Sequence, residues 1–224
     1  MTHILRAVLS PEDLATVRQQ LADLPWKSGK RTAGAAARGV KENLQADGAD
    51  SRTQALERFV AEALRRHALF EIAARPAKLT RLLFSRYEPG MTYGMHTDDA
   101  LMGQGEARVR TDLAFTIFLS DPASYEGGAL TIDSTLGEQA IRLDAGDAIL
   151  YAAGSIHQVA PVTEGARLAA VGWVQSVIAD AGQRELLFDL SVTRTRLADA
   201  NTPREDVLRL DKAISNLLRM WAQI

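Results

Sequence analysis

Cysteine is absent from all 224 residues. That excludes disulfides, thiolate-held metals and a cysteine nucleophile, and it suits a reducing compartment. Histidine is scarce: His3, His67, His96 and His157 are the whole supply, so any imidazole chemistry must draw on them. Charge of one sign is also lacking, because 26 Lys and Arg meet 28 Asp and Glu for a formal net charge of −2. Such a balance gives no general pull toward nucleic acid or an anionic membrane surface. No apolar run approaches the ~20 residues that span a bilayer. The N-terminal MTHILRAVLSPEDL has neither a long apolar stretch nor a small-residue cleavage site. The expectation is a soluble cytoplasmic protein without nucleic-acid or membrane partners.

What is present suits one compact domain with appendages, long enough to bury a substantial core. SPEDLATVRQQLADLPW predicts an amphipathic helix: Ser10 can cap, Pro11 suits the first helical position, and Leu14, Val17, Leu21 and Leu24 share a face. KSGKRTAGAAARGVKENLQADGAD reads as a long loop with one short strand or turn. SRTQALERFVAEALRRHALFEIAA reads as a second helix, ended by Pro76. From Leu79 to about Ile178 the pattern turns to short β-rich segments between Gly, Asp and Pro signals, an antiparallel double-sheet pattern and most simply a jelly roll. Two helical stretches follow, the second with Thr202 as cap and Pro203 at its first position. The expected fold class is α+β. Its divisions are an N-terminal helical region over 1–77, a jelly-roll core over 78–178, and a helical extension over 179–224. That extension could pack on the core or on a second copy, as a homo-oligomer would.

The stretch YGMHTDDALM places His96 one residue from Asp98. In an extended strand, residues i and i+2 project to one face. His157, read as opening the next-to-last strand, is the candidate third ligand; a packed core histidine is the plainer alternative. Two imidazoles and a carboxylate form the facial triad of non-haem Fe(II) oxygenases, with open positions for reactants. His3 and His67 read as surface or packing residues. Arg167 lies ten residues after His157, across the turn TEGA, and a buried guanidinium matches a carboxylate bidentately. It would grip the distal carboxylate of a 2-oxo diacid; the alternative is a surface arginine paired with Glu164. Tyr87, on the strand before the one that carries His96, is a candidate contact to the bound diacid, with Arg81 and Tyr93 weaker ones. Asp99 reads as a solvated neighbour of Asp98, with competition for the metal as the alternative.

In the order His96-Thr97-Asp98, His157 and Arg167, and in RYEPGMTYGMHTD, RTDLAFTIFLSDPASYEGGAL and AGDAILYAAGSIHQVAPVTEGAR, the sequence resembles the iron- and 2-oxoglutarate-dependent dioxygenases of the prolyl 4-hydroxylase type, and among them the PKHD-type hydroxylases. The resemblance runs over nearly the whole chain. It implies a double-stranded β-helix core with Fe(II) on His96, Asp98 and His157 and 2-oxoglutarate on Arg167. O2 would be co-substrate and L-ascorbate a reductant, with an association to iron uptake. It implies hydroxylation of an unidentified substrate, with 2-oxoglutarate decarboxylated to succinate and CO2. VKENLQ resembles a family stretch near the site mouth, with Glu42 where relatives tend to carry an amide. The competing class is a metal-binding jelly roll without oxygenase activity, a cupin-like enzyme or an iron-sensing protein. A pure interaction module built on the flanking helices would leave the three ligands unexplained.

Overall fold

The computed structural model describes residues 2–34, 37–135 and 137–223. In chain order the strands are β1 (His3–Leu5), β2 (Trp26–Ser28), β3 (Lys41–Glu42), β4 (Leu44–Ala46), β5 (Pro76–Leu79), β6 (Leu83–Tyr87), β7 (Thr92–His96), β8 (Leu101–Met102), β9 (Val109–Arg110), β10 (Leu113–Phe118), β11 (Tyr125–Gly127), β12 (Leu130–Ile132), β13 (Gln139–Ile141), β14 (Ala148–Ala152), β15 (His157–Val159), β16 (Val162–Gly165) and β17 (Arg167–Ser176). The helices are α1 (Pro11–Ala22), α2 (Ser51–Arg66), α3 (Ala68–Ala74), α4 (Ala181–Asp199) and α5 (Arg204–Trp221).

A large sheet runs β1-β14-β10-β17-β6-β4-β2, with β5 added on β17, and a smaller one runs β13-β12-β15-β7-β3. The pairings are antiparallel. Alternation along each strand divides its side chains between two cores. On β10, Leu113, Phe115 and Ile117 join Phe84, Leu150 and the helix residues Val17, Leu56, Val60 and Phe70. Phe70 meets Phe115 edge-on at 6.4 Å between ring centroids, and each such buried side chain contributes roughly 1.5–3 kcal/mol. Ala114 and Phe118, on the opposite face, join Tyr87, Leu130, Ile149, Tyr151 and Val159. Two sheets face to face, with helices covering the outer face of the larger, make a jelly roll of the α+β class.

Local chemistry sets the ends of several elements. Ser10 caps α1 by accepting a hydrogen bond from Asp13 N. The expected single helix over 51–74 is instead two. His67 is extended (φ −77°, ψ 112°), its Nδ1 accepts from Phe70 N, and its Nε2 meets Arg6 O at 2.9 Å. Its ring therefore caps a second helix, a role periodicity alone does not show. Thr202 is not the cap of α5; that position falls on Pro203, with no side-chain cap.

The stretch read as a loop contributes β2, β3 and β4, strands of two or three residues too short to show alternation. They exist because β4 finds β6 and β3 finds β7. Residues 35 and 36 of that stretch lie outside the described residues. His3 belongs to strand β1, paired with Leu150. None of the residues of α5 is fully buried. No described helix is long and apolar enough to cross a membrane.

The strands of His157 and Arg167 are not consecutive, because β16 intervenes and pairs with β11. Gly165 ends β16 at φ +72°, and a Cβ there would lie 2.2 Å from Ser124 O. Gly165→Ala is expected to lower stability by about 1–3 kcal/mol through strain and collision, read as a fall in urea midpoint. An unchanged midpoint would mean that Ser124 gives way freely.

Candidate metal centre

His96 and His157 are direct partners across the antiparallel pair β7 and β15. That register sets their rings 4.3 Å apart between centroids. Asp98 lies two residues beyond the end of β7, so strand alternation does not bring it there as the sequence suggested. The chain's turn away from the strand does, and it leaves the carboxylate 4.0 Å from His96 Nε2 and 3.8 Å from His157 Nε2. Their donor atoms all lie within 4.8 Å of one another, and among the described residues Asp99 is not part of the group.

Each imidazole is held by the backbone two residues before it. His96 Nδ1 meets Gly94 O at 2.8 Å, and His157 Nδ1 meets Ser155 O at 3.0 Å. A carbonyl only accepts, so Nδ1 carries the proton and the Nε2 lone pair faces Asp98. Burial first, then His157, holds His96 down at about 4, with the Gly94 carbonyl opposing; it is a neutral imidazole at neutral pH. Burial raises the Asp98 carboxyl above the ordinary range, opposed by His157 and by the Trp173 indole. The indole N–H is near enough to act on the carboxylate, yet among the described residues neither it nor Asp98 Oδ2 makes a hydrogen bond of good geometry. A buried carboxylate oxygen without a partner is costly. Two lone-pair nitrogens and an orphaned oxygen converging on one spot suit a divalent metal with oxygen and nitrogen preferences. Tyr93 stacks on His96 at 3.6 Å and 17°, and Tyr151 meets His157 edge-on at 5.3 Å.

The pocket beside these groups holds about 830 Å³ of space, part of it open to solvent, between the two sheets. Arg167 lies in its wall, 1% exposed. Its register partner on β6 is Tyr87, and its guanidinium carbon is 5.4 Å from the Tyr87 ring and 5.3 Å from the Phe118 ring. Among the described residues Arg167 Nε and Nη2 make no hydrogen bond, and no ion pair joins Arg167 to Glu164. Burial pushes the Tyr87 hydroxyl up to about 12, with Arg167 opposing. A guanidinium with unspent donors in an aromatic cleft fits a small carboxylate.

Of the other candidates, Asp99 lines the pocket without joining the three converging donors, and Arg81, Glu42 and His3 lie elsewhere. Arg81 is held by the Glu57 carboxylate and Gly48 O, outside this wall. Glu42 pairs with Lys30 on the surface. Asp99 is exposed, and its backbone oxygen accepts from Thr111. His3 packs on Phe188 at 4.3 Å. The apolar strand residues of LAFTIFL and AILYAA, expected to wall the site, do so through Ala114, Phe115 and Tyr151, whereas the sequence reading missed Lys41, Thr116 and Trp173 as pocket residues. Thr116 had a signal, as the polar residue in the apolar run LAFTIFL, on the same strand face as Ala114. Lys41 had none, because its strand is two residues long.

The family described as the 2OG-Fe(II) oxygenase superfamily matches residues 82–175. A PKHD-type hydroxylase of Picosynechococcus sp. is 47% identical over 216 residues, 96% of this chain and 97% of the relative. One from Hyphomonas neptunium is 42% identical over 222 residues, 99% of each. Among solved structures, a Trichoplax adhaerens prolyl hydroxylase in complex with a hypoxia inducible factor peptide fragment superposes with a TM-score of 0.55 at 14% identity. The match covers 78% of this chain and 83% of that one. At that identity the likeness speaks for the fold alone.

Proposed function

This chain belongs to the PKHD-type hydroxylases of the 2OG-Fe(II) oxygenase superfamily, and we propose that His96, Asp98 and His157 hold its Fe(II) while Arg167 anchors 2-oxoglutarate. One observation supports the assignment above the others. The three donors converge within 4.8 Å in a pocket whose wall holds a buried arginine with unspent N–H groups. Membership makes the chain a 2-oxoglutarate-dependent hydroxylase and sets aside the cupin-like and iron-sensing alternatives.

When bound, the Fe(II) would activate O2, the oxidant, so that one oxygen atom goes into succinate as 2-oxoglutarate loses CO2 and the other goes into a substrate C–H bond. The chain's own side chains bind and orient. Gly94 and Ser155 carbonyls fix both rings with Nε2 toward the metal position. Asp98 neutralises part of the cation's charge. Arg167 receives the far carboxylate of 2-oxoglutarate, and Tyr87, its strand partner, adds a hydroxyl beside it. Leu130, Ala114 and Val159 wall the cavity with apolar surface, which limits water near the reacting atoms. Ascorbate enters this reading as a reductant from solution, and no described side chain is assigned to it. The association with iron uptake rests on the resemblance alone.

The test is direct. Protein loaded anaerobically with Fe(II) is expected to bind 2-oxoglutarate and, on admission of O2, to form succinate slowly without any primary substrate. Protein that neither binds nor turns over 2-oxoglutarate would defeat the proposal. The primary substrate would be sought in cell extracts as a molecule gaining one oxygen atom.

A further inference from the structure

Three described cations are at least nine-tenths buried: Lys41, Arg167 and Arg184, at 4%, 1% and 5% exposure. Arg184 spends Nη1 on the carbonyls of Ile178 and Ala179. Arg167 is assigned above to 2-oxoglutarate. Lys41 remains. Its strand pairs with β7, with Lys41 opposite Tyr93, so its stem is drawn into the pocket. Nζ lies 4.7 Å from the Tyr93 ring centroid, and that ring stacks on His96. The amine is therefore one aromatic ring away from an imidazole of the triad. An ammonium has three donors, and among the described residues the one hydrogen bond of Lys41 Nζ is to Thr32 Oγ1 at 3.2 Å. No described carboxylate comes within ion-pair distance of it. Asp98 acts on it through space and holds its pKa up, but burial dominates and brings it down to about 8.

A buried ammonium without a counter-ion is costly, and this one faces a cavity. We propose that Lys41 is the specificity-determining residue for the primary substrate, and that the substrate carries a carboxylate which pairs with its ammonium. Tyr93, Trp173, Leu83 and Met102, which share the wall with Lys41, offer flat and apolar surface to the rest of that molecule. A second cavity shares Thr32, Leu83, Met102 and Trp173 with the first and carries Lys78 and Arg65, so the surface adjoining the pocket is itself cationic. Such a surface favours approach of an anion. The substrate class is therefore a carboxylate with an apolar or planar body. The inference rests on the assignment of Arg167 to 2-oxoglutarate, because otherwise Lys41 is free to serve that diacid.

Calorimetry on anaerobic protein loaded with Fe(II) and saturating 2-oxoglutarate tests it, with benzoate and benzamide as probes of equal shape and different charge. Wild type is expected to bind benzoate and to bind benzamide at least roughly tenfold more weakly, the range for a hydrogen bond to a charged group. Lys41→Met and Lys41→Gln are expected to lose that preference while 2-oxoglutarate affinity stays within about twofold, since the cosubstrate's anchor is untouched. Equal binding of the two probes, no binding of either, or benzoate binding that survives both substitutions would overturn the proposal. The wild-type contrast needs no variant to fold. Loss of 2-oxoglutarate affinity in the Lys41 variants, with affinity retained in Arg167→Met, would instead overturn the cosubstrate assignment.

Discussion

Asp98→Asn is expected to abolish succinate formation, by on the order of 10³-fold or more, and to strip the protein of Fe(II) at micromolar metal. The substitution keeps the shape of the side chain and removes its charge. In the present geometry the carboxylate is the sole anionic donor among the three groups. An amide offers a neutral oxygen, so the cation would face two imidazoles with nothing to balance it. The same change is expected to stabilise the metal-free protein by about 1 kcal/mol or more. The Asp98 side chain is 6% exposed, its Oδ2 has no partner, and an unsatisfied buried charged group costs at least that much. The two readouts move in opposite directions, which separates a ligand from a packing residue. Calorimetric iron binding and a metal-free urea melt would check them. An Asp98→Asn protein that is less stable without metal and binds Fe(II) normally would make Asp98 a structural residue.

The candidate site was legible where chemistry lies in the residue type. Two histidines and an aspartate are rare enough here to be noticed, and their register follows from a pairing that any jelly roll permits. Arg167 was legible for a similar reason, since alternation on β17 turns it away from Leu168 and Ala170. The sequence was silent where structure is made by tertiary contact. β3 is two residues long, and nothing local shows that it pairs with β7 and carries Lys41 inward. The break at His67 was hidden because apolar spacing continues through it, while the cap that makes it depends on an imidazole lone pair. Asp98 shows a partial success. It does converge with the histidines, yet it does so from beyond the strand end, so the residue was found by an argument that does not describe its position. The placement of imidazole protons was beyond reach, because it depends on the carbonyls of Gly94 and Ser155 folding back on their own neighbours.

Arg167→Met is expected to raise the Kd for 2-oxoglutarate about 100-fold while Fe(II) binding changes little. A bidentate charge-assisted contact in a dry cleft is worth about 3 kcal/mol, and methionine replaces the stem without the fork. Stability links the two states. At 2-oxoglutarate 100 times its Kd, wild type gains about 2.7 kcal/mol, whereas a variant weakened 100-fold gains about 0.4 kcal/mol at the same concentration. The cosubstrate should therefore raise the melting temperature of wild type and scarcely move that of the variant. Without cosubstrate the order reverses or vanishes. Arg167 is 1% exposed with two donor nitrogens unspent, and replacing an unpaired buried ion by an apolar side chain of similar length is neutral or stabilising. Arg167→Lys keeps the charge but not the planar fork and is expected to fall between the two. If all three proteins gain equal stability from 2-oxoglutarate, the diacid is held by another cation, and Lys41 is the one the pocket offers.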